Sequence, residues 1–183
     1  MKIIVAITGA TGTIYAIRLL ELLKKLTIET HLIMSKWAIE TLHTETNYSV
    51  DYLEGLATEV YDNGNLAAAI SSGSFKTDGM VIAPCSMKTL AAISHGFSEN
   101  LIQRTADVAI KENRKLILVP RETPLNPIHL ENMLKLSRMG IVIMPPMPGF
   151  YNQPQSLDDI VNFHAGRILD QLGIEHNFIK RWH

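Results

Sequence analysis

A strand that ends abruptly at a glycine–threonine turn, with a helical pattern on its far side, limits what this chain can fold into. Residues 3–7 read Ile-Ile-Val-Ala-Ile, apolar at every position. A strand with one wet face would alternate, so this run predicts a strand covered on both faces, as in a parallel sheet. Thr8-Gly9-Ala10-Thr11-Gly12-Thr13 follows, and a helical pattern then runs from about Thr13 to Lys25. Gly9 and Gly12 let the backbone approach a ligand closely, and Thr11 and Thr13 are candidate caps for the helix start. The first N–H groups of a helix have no partner inside it and carry partial positive charge. The turn therefore reads as an anion site, phosphate or nucleotide being the leading occupant, with a bare strand-to-helix turn as the alternative. Its G-x-x-G spacing is not the G-x-G-x-x-G dinucleotide pattern, and no Walker lysine follows.

The same unit recurs. Thr30–Met34, Glu59–Tyr61, Gly79–Pro84, Lys115–Pro120 and Gly140–Met144 read as strands. Lys36–His43, Asn100–Glu112, Asn126–Leu136 and Ser156–Leu172 read as helices, with another opening at Cys85–Leu90. Such alternation predicts an α/β fold, a mostly parallel sheet with helices on both faces. Ligands on such sheets collect at the carboxyl ends of the strands. The polar clusters Gly9–Thr13, Ser35, Cys85–Thr89, Arg121-Glu122 and Tyr151 all follow strands, so one edge of the sheet gathers the candidate chemistry.

Composition removes several classes of function. With 183 residues the chain is read as one domain, and its 46% apolar and 19% charged residues are ordinary for a globular protein. A net charge of −1 and the lack of a basic block argue against nucleic acid as a partner. The single cysteine, Cys85, excludes an internal disulfide and offers no zinc cluster. It follows Pro84 in an apolar strand with no local histidine, which predicts a buried, inert thiol rather than a nucleophile. No 18-residue apolar run and no leader-like start are present, so no membrane span and a cytoplasmic setting are expected. Asp158-Asp159 looks like the start of a metal–pyrophosphate box, but helix capping with Ser156 explains both acids.

Longer stretches carry a family likeness. They are Thr8-Gly9-Ala10-Thr11-Gly12 with Tyr15, Ala83-Pro84-Cys85-Ser86, Asn100–Glu112, Val119-Pro120-Arg121-Glu122-Thr123-Pro124, Ile128–Leu134 and Pro148-Gly149-Phe150-Tyr151-Asn152-Gln153-Pro154. Through them the chain resembles the UbiX-type flavin prenyltransferases, a branch of the flavin-binding homo-oligomeric cysteine-decarboxylase superfamily. The likeness spans nearly the whole chain and is weakest over about Val50–Ser71. The Cys85–Thr89 variant is similar to members encoded beside aromatic-acid decarboxylases.

The resemblance implies a three-layer Rossmann-like or flavodoxin-like domain over residues 1–183, its segment 174–183 packing on a neighbouring subunit of a homododecamer. It implies metal-independent transfer of a dimethylallyl group from dimethylallyl phosphate to N5 and C6 of reduced FMN, the product serving a UbiD-type decarboxylase. By the same likeness Gly9, Ala10, Thr11, Ser35, Ser86, Met87, Lys88, Thr89 and Arg104 contact FMN. Thr11 stands where relatives often carry serine, and Ser35 reads equally as a helix cap. Lys111, Arg121, Tyr151 and Arg167 hold the donor phosphate, and Glu122 manages protons around it. Glu45 lies near the prenyl group, and Trp182 covers a neighbouring site. Glu45, Lys111, Glu122 and Thr11 are thus the catalytic set. Leu66 falls near a position where some relatives carry tryptophan. Two alternatives stay open from sequence: an FMN-dependent decarboxylase of the same superfamily, or a non-catalytic FMN-binding decarboxylase subunit.

Overall fold

A computed structural model describes residues 1–181, so Trp182 and its expected cover over a neighbouring site lie outside the described residues. Six strands and seven helices alternate along the chain: β1 (Lys2–Ile7), α1 (Thr13–Lys25), β2 (Glu29–Met34), α2 (Lys36–Glu45), α3 (Val50–Leu56), β3 (Glu59–Asp62), β4 (Gly79–Cys85), α4 (Met87–Ser94), α5 (Leu101–Lys111), β5 (Lys115–Pro120), α6 (Pro127–Arg138), β6 (Val142–Ile143) and α7 (Leu157–Leu172). A short 3-10 turn, Ala69–Ser71, interrupts the long β3–β4 connection. The strands form one sheet in the order β3-β2-β1-β4-β5-β6, every neighbouring pair parallel. This is the doubly wound 3-2-1-4-5-6 order, and its direction of winding reverses between β1 and β4, where a ligand crevice is expected.

The unbroken apolar run of β1 is explained by the two layers that cover it. Ile3, Val5 and Ile7 join one buried cluster with residues of α1, α2, α3 and α7, while Ile4 and Ala6 join a second with residues of α4, α5 and α6. The same division applies in β4, where Val81 and Ala83 face the first layer and Met80 and Ile82 the second. Successive side chains point to opposite faces of a strand, so a strand covered on both faces must be apolar throughout.

Element boundaries follow local chemistry. Ser156 caps α7 by accepting from the Asp159 N–H (3.2 Å), and Asp159 accepts in return from the Ser156 N–H (2.9 Å). Asp158 instead reaches Arg18 (3.4 Å). The helix α3 has no counterpart in the sequence-based reading. Its seven residues bury only Leu53, and its start depends on Ser49 accepting from the Tyr52 N–H (3.1 Å). So short an apolar period is not distinguishable from a loop.

The described part of the C-terminal segment is also fastened to its own chain. Ile174 is buried, Ile179 lies against Gly166, and Arg181 pairs with Asp170 of α7 at 2.8 Å.

Candidate functional site

The crevice between β1 and β4 is held by a residue that sequence reading passed over. The buried Thr8 hydroxyl donates to the Pro84 carbonyl (2.8 Å) and accepts from the Ser86 N–H (2.8 Å). The Thr8 N–H also donates to the Pro84 carbonyl (3.2 Å). These bonds join the carboxyl ends of two central strands. A hydroxyl at the last position of an apolar strand was the available signal, since it needs partners once buried.

On the β4 side, Ser86 caps α4 by accepting from the Thr89 N–H (3.3 Å), and its hydroxyl donates to the Thr89 hydroxyl (3.1 Å). The N–H groups of Met87 and Lys88, the first two residues of α4, have no acceptor within the helix. They are the donors at the helix end where the sequence reading expects flavin or phosphate oxygens. On the β1 side, Gly9 packs so closely on Trp37 that a Cβ at this position would overlap the Trp37 Cβ. The backbone can therefore line the crevice only as glycine. Trp37 itself is 70% exposed, a large aromatic surface at the rim that sequence reading did not single out. Ser35 caps α2 by accepting from the Ala38 N–H (3.1 Å), the structural one of its two expected roles.

The α1 terminus departs from expectation. Neither Thr11 nor Thr13 caps it: Gly12 is the N-cap, in the left-handed region at φ 104°, without a side-chain bond. A Glu45 carboxylate oxygen instead accepts from the N–H groups of Gly12 (2.8 Å) and Thr13 (3.3 Å). The turn is an anion cradle, but its anion is a carboxylate of the chain itself, carried in from the end of α2. The positive end of one helix thereby fixes a charge that sits poorly at the negative end of another.

Two cavities flank this turn, with Tyr15 and Ile160 in both linings. One, of about 580 Å³, is bordered by Ile14, Tyr48, Leu157 and Val161, with Glu45 at its wall. The other, of about 280 Å³, runs under the Pro146–Pro154 loop and borders His164. His164 is buried with Nε2 unpartnered and its ring edge-on to Tyr15 (centroids 5.0 Å apart). Burial pushes the imidazole down to about 4, so it is neutral at physiological pH. Burial likewise pushes the Cys85 thiol up, which leaves it inert as expected.

The residues expected to hold the donor phosphate are not brought together within one chain. Lys111 ends α5 just before β5, whereas Arg121 and Glu122 follow the far end of that strand. Six residues at ~3.3 Å each separate the two positions by about 20 Å along the sheet. Lys111 pairs with Glu112 (2.5 Å) beside Gly73, and Lys111 with its hydrogen bond holds the Glu112 carboxyl below its usual range. Arg104, on the same face of α5, donates to the Ser71 carbonyl (3.2 Å) and to Asp107 (2.9 Å). Arg121 and Glu122 stand exposed at the other edge, where Glu122 accepts from the adjacent Thr123 N–H (2.9 Å). Tyr151 meets Phe163 edge-on at 5.7 Å, and Arg167 pairs with Asp170 at 2.7 Å. Leu66 lies half exposed in the turn after β3. Among the described residues no group of His, Cys, Asp and Glu is arranged to hold a metal, and no helix is long and apolar enough to cross a membrane.

Comparison with known proteins places this geometry in a family. Residues 1–169 match the Flavoprotein family model. The chain is 55% identical to a probable UbiX-like flavin prenyltransferase of Bacillus subtilis (strain 168), over 100% of this chain and 89% of that protein. A dodecameric FMN-dependent UbiX-like decarboxylase from Escherichia coli O157:H7 superposes with a TM-score of 0.98 at 54% identity, covering 100% of both chains. AnUbiX, solved with FMN and dimethylallyl pyrophosphate, superposes with a TM-score of 0.98 at 50% identity, over 100% of this chain and 97% of that one. The doubly wound sheet, the crevice stitched by Thr8 and this full-length similarity together make the chain a member of the Flavoprotein family, of the UbiX-like flavin prenyltransferase kind.

Proposed function

We propose that the chain transfers a dimethylallyl group from dimethylallyl phosphate to N5 and C6 of reduced FMN, giving prenylated FMN for a UbiD-type decarboxylase in the cytoplasm. The observation that carries this reading is the switch point between β1 and β4, in a chain half identical throughout to a relative solved with FMN and dimethylallyl pyrophosphate. Reduced FMN supplies the nucleophilic atoms. The chain's part is to bind, orient and manage protons.

The Gly9–Thr11 backbone, Ser35, the α4 terminus from Ser86 to Thr89 and Arg104 hold the flavin. Lys111, Arg121, Tyr151 and Arg167 grip the donor phosphate, and charge-assisted bonds of this type contribute about 1.5–3 kcal/mol each. A monophosphate carries less charge than a diphosphate, so cationic side chains suffice to stabilise its departure without a metal. Glu122 donates a proton to the leaving phosphate. Glu45, fixed by the Gly12 and Thr13 amides at the wall of the apolar cavity, handles the proton exchanged with the prenyl chain. Apolar walls shield a cation-like prenyl fragment from water.

Because Lys111 and Arg121 flank opposite ends of β5, one complete grip needs side chains from more than one copy of the chain. That requirement, with the dodecamer formed by the Escherichia coli relative, supports a homododecamer with sites between subunits. The test is anaerobic incubation of the purified protein with reduced FMN and dimethylallyl phosphate, followed by the flavin's mass. A gain of one dimethylallyl unit is expected. An unchanged flavin overturns the reading, and carbon dioxide release from a cysteinyl peptide in its place establishes the decarboxylase alternative.

A further inference from the structure

The end of α7 holds a charge cluster in which one carboxylate serves several donors. Asp170, largely buried, accepts from Arg167 Nη1 at Oδ2 (2.7 Å). Arg181, from the C-terminal strap, binds the same carboxylate with both arms of its fork, Nη2 to Oδ1 at 2.8 Å and Nη1 to Oδ2 at 3.2 Å. His176 completes the cluster, its Nε2 3.2 Å from Oδ1. Its Nδ1 accepts from the Phe178 N–H (3.2 Å), so Nε2 carries the ring proton, which it donates to the Gly166 carbonyl (2.9 Å). Burial raises the Asp170 carboxyl, but the hydrogen bonds from Arg181 and Arg167 outweigh it, and the group stays below its usual range. Asp170 is therefore an anion, shared by two guanidinium groups.

From this arrangement we infer that Asp170 is a positioning residue for Arg167, and that Arg181 is the latch that keeps Asp170 from neutralising it. The inference rests on the reading of Arg167 as a ligand of the donor phosphate. A long arginine side chain at a half-exposed site loses much rotamer freedom when it binds an anion. Anchoring Nη1 to a buried carboxylate removes that freedom beforehand and leaves the other arms of the fork to bind. A private Asp170–Arg167 pair would present no net charge. Sharing Asp170 with Arg181 leaves the pair of guanidinium groups net positive, so Arg167 is aimed and still attracts phosphate. It also gives the strap 174–181 a catalytic consequence, because Arg181 brings that charge from beyond α7.

The test is steady-state kinetics of the intact oligomer with reduced FMN and varied dimethylallyl phosphate. Asp170→Asn keeps the size of the side chain and removes its charge. Arg181→Gln leaves Arg167 without a competing guanidinium on Asp170, His176 remaining in place. Each is expected to raise the KM for dimethylallyl phosphate, Asp170→Asn by about tenfold, the loss of one charge-assisted bond. The affinity for FMN stays within about twofold, since the flavin does not rest on Arg167; any fall in kcat reflects the part of Arg167 in stabilising the departing phosphate. In an Arg167→Gln background both substitutions become silent in KM, because residues that act through one another are not additive. An unchanged KM in both variants, or the same KM rise with Arg167 already removed, overturns the inference. An unchanged KM in Arg167→Gln itself instead overturns the placing of Arg167 on the donor phosphate, which separates the two failures.

Discussion

The carboxyl ends of β1 and β4 and the two flanks of β5 show two ways of building a site. The carboxyl ends of β1 and β4 are finished within the chain: Thr8 is buried and bonded across both strands, Ser86 caps its helix, and Glu45 is seated on the α1 amides. The segment Arg121–Leu130 and the Lys111–Glu112 pair are unfinished by comparison. Arg121 and Glu122 stand in water, together with the apolar Ile128 and Leu130. On the proposed function, the flavin site is a property of one fold, whereas the phosphate grip is a property of an assembly. The first needs backbone amides and glycines whose positions the sheet fixes. The second needs long cationic side chains gathered from elements that the sheet keeps apart.

The largest effect expected lies on the unfinished side. Glu122→Gln removes a proton donor without changing size, and turnover should fall by about 10²–10⁴ while FMN stays bound. Anaerobic single-turnover rates beside flavin absorbance check this, and full activity would take Glu122 out of the mechanism. Next comes complementation between copies. Lys111→Ala and Arg121→Ala chains should each be nearly inactive as pure oligomers. Refolded together in equal amounts they should regain about a quarter of wild-type activity, the share of sites that draws each intact residue from a different copy. If mixing restores nothing, the two residues do not share an intersubunit site.

The finished side is probed through stability. In the unfolded chain His164 takes a proton near 6.5, and in the folded chain only near 4. Between these values the unfolded chain binds the extra proton, so folding weakens as pH falls through that window, by roughly 3 kcal/mol in all. Above the window the effect vanishes. Urea midpoints at pH 7 and pH 4.5 should therefore converge in His164→Leu relative to wild type, and an unaltered gap would mean that the imidazole protonates in place. The smallest effect is that of Thr8→Val, which keeps the shape and deletes the hydroxyl. It leaves the Ser86 N–H without its acceptor at a cost of about 1–3 kcal/mol. A fall in Tm of several degrees and weaker FMN binding are the measurements. A neutral result would make the Thr8 stitch incidental.

Much of this was legible in the residues. The unbroken Ile3–Ile7 run announced two covering layers, the Ser156–Asp159 box fixed the start of α7, and Ser86 marked the α4 terminus. Where the reading fell short, the cause was distance along the chain. Thr11 and Thr13 looked like caps because they are local, but the α1 amides chose Glu45, more than thirty residues away. Ser35 had two roles open, and the structure supplies the cap. The strap 174–181 carried no periodicity to show that it would return to its own α7 through Arg181 and Asp170.

By itself the sequence determined the order of the elements other than α3, the cap of α7 and the residue types available at each strand end. These depend on interactions within a turn or two, which spacing encodes directly. The tertiary structure alone decided that β1 and β4 are neighbours, that Glu45 fills the α1 cradle, and that Lys111 and Arg121 face opposite edges. Those outcomes depend on strand order and on which helix end meets which charge. Both are settled by packing two layers onto one sheet, and neither leaves a period in the sequence.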